Sequence, residues 1–199
     1  MAVLSRRSQA ATTRRNNRDA LAAATLELLA EGAAFADASI EQIVRRAGLS
    51  RPTFYSHFAD KRALILHLGQ GLLDAVAEAA DPWLARGEGE VRPTLDAVLG
   101  AFETHRETLL ALVEAAGYDV EVNAFWHDFH DRFVAAAVER IRLVAPDLSP
   151  QRARARGFAL VWMTERTATE LVAGADVDRT ALLDELTGFW ERALRGGDD

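Results

Sequence analysis

Residues 39–64 read Ser39-Ile40-Glu41-Gln42-Ile43-Val44-Arg45-Arg46-Ala47-Gly48-Leu49-Ser50-Arg51-Pro52-Thr53-Phe54-Tyr55-Ser56-His57-Phe58-Ala59-Asp60-Lys61-Arg62-Ala63-Leu64. Ser39 is a good N-cap, and Gln42 stands where a capping-box partner belongs. Ile40, Ile43, Val44 and Ala47 recur at the i, i+3, i+4, i+7 spacing of a buried helical stripe. Gly48 breaks that helix. Ser50 offers a second N-cap, and Pro52 falls in the first turn, where its missing N–H is not needed. Phe54 and Phe58 face one side, which leaves Arg51, Thr53 and Tyr55 pointing away from them. Two short helices joined by Ala47-Gly48-Leu49 make a helix-turn-helix. Its second helix is shaped to enter the major groove of DNA, N-terminus first.

In that groove Arg51 suits a guanine edge, and Pro52 or Thr53 a thymine methyl. Ser50, Thr53, Tyr55, His57 and Lys61 suit phosphate oxygens, with backbone amides of the helix that starts near Asp60 beside them. Lys61 is the only lysine in a chain with twenty-two arginines. Ser39 and Arg45 join the expected DNA-binding set, although Arg45 and Arg46 fit a solvated face equally well. Phe54, Phe58 and Leu49 read as core.

Charge supports this placement. Residues 1–62 carry ten basic and six acidic side chains, a balance of +4, while the remainder carries −11. A basic head on an acidic body is compatible with DNA because phosphate contact is local. Residues 1–15 hold Arg6, Arg7, Arg14 and Arg15 without an apolar period and read as a flexible arm. Such an arm either tracks a minor groove or is a plain tail. The first helix is expected from about Asn16 to Glu31, ending at Gly32. The domain reading is therefore arm 1–15, DNA-binding domain 16–62 and a second domain 63–199.

The remaining chain reads as helices at about 60–80, 92–115, 120–145, 151–174 and 178–195. Asp81-Pro82, Pro146 to Pro150 and Gly174-Ala175-Asp176 punctuate them. No window alternates with a period of two, so the class is all-α. The chain has no cysteine, which removes disulfides and thiolate chemistry. No secretory signal and no membrane span is read, so a cytoplasmic location is expected.

All four tryptophans lie in this second part: Trp83, Trp126, Trp162 and Trp190. Trp126, His130, Phe133 and Ala137 share a stripe that mixes aromatics with a histidine, as suits an apolar pocket with a few polar fixtures. Val161, Thr164, Glu165 and Ala168 share another. Glu165 is either a ligand anchor or the partner of an arginine. The expected ligand-binding set is His105, Trp126, His130, Phe133, Thr164, Glu165 and Trp190. Helices 151–174 and 178–195 are wide enough in apolar surface to serve a core and a second copy at once. A rival reading takes His127 and His130, with Asp128 and Asp131, as metal ligands of an enzyme, but no second cluster completes such a site. No phosphate loop or nucleophile elbow is present, so neither enzymatic activity nor a cofactor is expected.

The stretch from Ser39 to Leu64 resembles the signature of the TetR family of transcriptional regulators. Gly48-Leu49-Ser50, Thr53-Phe54-Tyr55, His57-Phe58 and Asp60-Lys61 carry the resemblance. More weakly, Phe125 to Phe129 and Met163 to Thr167 resemble the EthR-type branch, in which Asn-Glu stands in place of Thr164-Glu165. The resemblance implies about nine helices: an N-terminal three-helix DNA-binding domain, then a C-terminal helical domain for ligand binding and dimerisation. It puts Arg51, Pro52, Thr53, Tyr55, His57 and Lys61 at DNA-facing positions. It also implies a repressor that binds a palindromic double-stranded operator as a homodimer through its last two helices, released by a small apolar or amphipathic effector.

Overall fold

The computed structural model describes residues 2–195, with side chains from Thr12 onward. Among the described residues there are nine helices and no strand: α1 (Ala2–Ala30), α2 (Ile40–Arg46), α3 (Arg51–Tyr55), α4 (Lys61–Leu84), α5 (Val91–Thr104), α6 (Arg106–Ala116), α7 (Val120–Val144), α8 (Pro150–Ala173) and α9 (Arg179–Leu194). Ser39, Ser50, Asp60, Asp119, Ser149 and Asp178 each accept a backbone N–H from the first turn of the helix they precede. These short polar side chains satisfy donors that have no intrahelical partner, and so fix where the helices begin.

Two apolar cores result. Leu21, Ile43, Val44, Phe54, Phe58 and Leu64 close the small N-terminal one. The larger core runs through α4–α9. α4 belongs to both: Leu64 enters the first and Ile65 the second. By length and composition α4 is apolar enough to cross a membrane, but its apolar side chains Leu64, Ile65, Leu68, Leu72 and Val76 are buried as the axis of the fold. α7 and α8 pack closely where α8 has Gly157, since a Cβ there would lie 2.7 Å from Cγ2 of Val138.

Three expectations are corrected. α1 does not begin near Asn16 but continues back to Ala2, so residues 2–15 extend the first helix. Their Ala, Arg, Gln and Ser residues include no glycine or proline to interrupt a helix. The side chains of Arg6 and Arg7 lie outside the described residues. α4 runs through Pro82 to Leu84, because Trp83 and Leu84 both gain burial by continuing it. The helix expected at 92–115 divides at His105, whose φ of −104° and ψ of 28° leave the helical region.

Candidate DNA interface and ligand cavity

The turn between α2 and α3 is built by Gly48, at φ 65°. That left-handed step lets the Leu49 N–H reach back to the Val44 carbonyl at 2.8 Å. Ser39 and Gln42 form the expected capping box on α2. Phe54 and Phe58 pack together inward, ring centroids 5.8 Å apart. Arg51, Pro52 and Tyr55 stand exposed on the opposite face of α3. Thr53 is half-buried and shares a 2.8 Å hydrogen bond with Ser50. Arg45 is exposed and has no ion pair among the described residues.

Arg51 is not idle. It pairs with Glu41, donates to the Tyr55 hydroxyl at 3.2 Å and lies over the Tyr55 ring. The hydroxyl and the carboxylate together push its already high pKa further up. His57 is half-buried beside the C-terminus of α3. Burial first, then the nearby Arg14 and Arg18, lowers its pKa. Lys61 departs from expectation. Its Nζ donates to the carbonyls of Phe35 and Ala36 at 2.6 and 2.9 Å and sits 4.8 Å from the Phe35 ring centroid. Glu114 of α6 grips the same loop from the other side, accepting the N–H groups of Phe35 and Ala36 at 2.9 Å each. Lys61 therefore tethers the α1–α2 loop and does not stand free toward phosphate. Sequence reading missed Glu114 because its partners are backbone groups 78 and 79 residues away.

Behind this head lies a cleft between α4, α5, α7, α8 and α9. Its cavity volume is about 50 Å³. It is a slit, and it is apolar: Val76, Trp83, Val98, Phe102, Phe129 and Phe133 line it along with Thr164, Glu165 and Trp190. Phe133, Thr164, Glu165 and Trp190 are thus brought together as expected. Three expected residues are not in the lining. His105 is at the α5–α6 joint, on a surface groove with Ala75 and Gly100. Trp126 and His130 sit one layer behind the wall, packed edge to face against each other.

The polar groups of the wall satisfy one another. Trp190 donates to the Thr164 hydroxyl at 2.9 Å, and that hydroxyl donates to the Leu160 carbonyl at 2.8 Å. Glu165 pairs with no arginine among the described residues. Its carboxyl meets His130 Nε2 at 3.1 Å and accepts from Thr169 at 2.5 Å. His130 Nδ1 lies 2.7 Å from the Trp126 carbonyl, which can only accept, so that nitrogen carries a hydrogen. A proton must then sit between Nε2 and Glu165, on one or the other, and the buried pair is neutral overall. Both ring nitrogens are occupied in this way, and His127 points to solvent. The two histidines do not converge on a metal.

Two family models match. Residues 21–68 fit bacterial regulatory proteins of the tetR family, and residues 91–196 fit the C-terminal domain of the transcriptional regulator EthR. The chain belongs to the TetR family. It is similar to the HTH-type transcriptional regulator EthR of Mycobacterium tuberculosis, 32% identical over 197 residues, covering 91% of this chain and 88% of that one. EthR of Mycolicibacterium smegmatis is 29% identical over 192 residues with the same coverage. Among solved structures, a TetR-like regulator from Rhodococcus sp. RHA1 superposes with a TM-score of 0.65 at 22% identity, covering 91% of this chain and 97% of that one. A putative regulator from Pseudomonas aeruginosa PAO1 gives 0.69 at 20%, covering 90% of each. This TetR-family chain is a DNA-binding transcriptional regulator of the EthR type and not an enzyme. Its helix-turn-helix falls inside the first matched span, while most of its slit falls inside the second.

Proposed function

We propose that the chain is a repressor that binds a palindromic operator as a homodimer and is released by a small, slender apolar ligand. The carrying observation is α4. It ends in the DNA-binding core at Leu64 and in the slit at Val76, Ala80, Trp83 and Leu84. A ligand that spreads the slit displaces the same rod that carries α3, provided it binds the spread state more tightly. Because the wall's polar groups are already paired, the ligand is recognised by apolar contact and width. Arg51 reads a base edge after leaving Glu41. Pro52 and Thr53 flank it, with Ser39, Ser50, Arg45, Tyr55 and His57 toward phosphate.

The homodimer joins α8 and α9 to their copies. Phe158 on α8 and Phe189 on α9 are exposed large apolar side chains, an arrangement that a symmetric helix-pair interface would cover. Such a dimer places two copies of α3 about 34 Å apart, one turn of DNA. The DNA-binding role supports a cytoplasmic location.

The test is a mobility shift on DNA upstream of the chain's own gene across a salt series, with the Tyr55→Ala and Phe158→Glu variants. Tyr55→Ala loses binding with dimer and melting unchanged, and Phe158→Glu loses the dimer first. Absence of binding even to pooled genomic fragments at low salt would overturn the reading.

A further inference from the structure

Beyond the helix-turn-helix, α1 places a second group of cations against the reading helix. Arg14 and Arg18 are one turn apart on α1 and so lie on one face. The Arg14 guanidinium donates to the Ser56 carbonyl at 3.2 Å, at the C-cap of α3. Arg18 lies over the Phe58 ring, 5.3 Å from its centroid. His57 sits between these two contacts in the chain. Both arginines are exposed, and neither has an ion pair among the described residues. Arg46, by contrast, is neutralised by Glu27 and Glu31, and Arg62 by Asp119 and Glu121.

We propose that Arg14, Arg18 and His57 form a phosphate site that grips one strand of the DNA backbone beside α3. The inference rests on the operator-binding reading above. α3 has five residues, about 7.5 Å of helix, and sits in a groove about 12 Å wide. Side chains flanking its end therefore meet the phosphate wall and not base edges. Two guanidiniums without ion pairs among the described residues, held at Ser56 and Phe58 on either side of His57 in the chain, are arranged before DNA arrives. Burial first, then Arg14 and Arg18, lowers the pKa of His57, and a phosphate would offset the part due to the two cations. The site positions the protein on the duplex and carries no base preference of its own.

Fluorescence anisotropy of the wild-type dimer, Arg14→Ala, Arg14→Lys and Arg18→Ala on a duplex from upstream of its own gene, over a potassium chloride series, tests this. A random duplex, measured over the low-salt part of the same series, is the companion probe. Each alanine variant is expected to flatten the slope of log K against log salt by about 0.9 per protomer, so about 1.8 per dimer, on both duplexes. Arg14→Lys keeps the wild-type slope. Arg18→Ala makes the test independent of the Ser56 bond, and unchanged melting curves exclude misfolding. Slopes unchanged in both alanine variants overturn the site while leaving operator binding intact. A loss confined to the upstream duplex overturns it too, because that assigns the arginines to base reading. Competition by inorganic phosphate beyond its ionic strength would mark a free-phosphate site and equally overturn the proposal. A wild type that binds neither duplex removes the operator reading itself.

Discussion

Trp190 donates its indole N–H to the hydroxyl of Thr164 across 2.9 Å, tying α9 to α8 in the wall of the slit. Both residues are buried. Thr164→Val keeps the shape and removes the acceptor. The orphaned indole N–H then costs about 1–3 kcal/mol, read as a lower denaturant midpoint at unchanged slope. A variant as stable as wild type would show that the pair is not a structural tie.

The chain order of the elements was legible because their ends carry strong local chemistry. Ser39, Ser50 and Asp60 cap helices in the sequence as they do in the fold, and Gly48 marks the turn. Less was legible where long-range packing overrides local signals. Pro82 looks like a stop, yet burial of Trp83 and Leu84 carries α4 past it. His105 falls on an apparently continuous helical pattern and instead makes a joint. Within the site, spacing brought Thr164 and Glu165 together correctly, but it could not show that both are already paired. Nor could it show that His130 lies behind the wall. The face shared by Arg14 and Arg18 is hidden from a reading that begins the first helix near Asn16, because α1 continues back to Ala2.

The α1–α2 loop hangs on Glu114 through two backbone bonds of 2.9 Å. Glu114→Ala removes a charged acceptor, and bonds of that kind contribute about 1.5–3 kcal/mol. Hydrogen exchange at the amides of Phe35 and Ala36 should therefore accelerate by roughly ten- to a hundredfold, with α8 and α9 amides unaffected. Equal protection in the variant would mean that Lys61 and the burial of Phe35 hold the loop alone.

Acid should weaken the fold near the DNA face. His57 and His67 have pKa values lowered chiefly by burial, then by Arg18 and, for His57, also Arg14. The unfolded chain thus binds protons more readily than the native one. Stability is fully present above the ordinary histidine value near 6.5 and is lost as pH falls through the lowered native values. The melting temperature is expected to drop as pH falls below about 6.5, and His57→Gln with His67→Gln to flatten that drop. A flat wild-type profile in that range would contradict the assignment.

Glu41 holds Arg51 away from the task proposed for it. The pair joins α2 to the first turn of α3, on a face with no burial to strengthen it. In contact with DNA the carboxylate becomes a like charge near phosphate, and Arg51 must exchange it for a base edge. Glu41→Gln removes the competitor and the repulsion together, so operator affinity should rise several-fold at low salt, with the gain shrinking as salt screens it. Arg51→Ala should lose about 1–3 kcal/mol, concentrated at one base position. The double variant then decides the coupling. If Arg51 acts through release from Glu41, the gain from Glu41→Gln largely disappears in the Arg51→Ala background. If the gain persists in full, Glu41 acts only as a negative charge facing the backbone, and the ion pair has no part in selecting sequence.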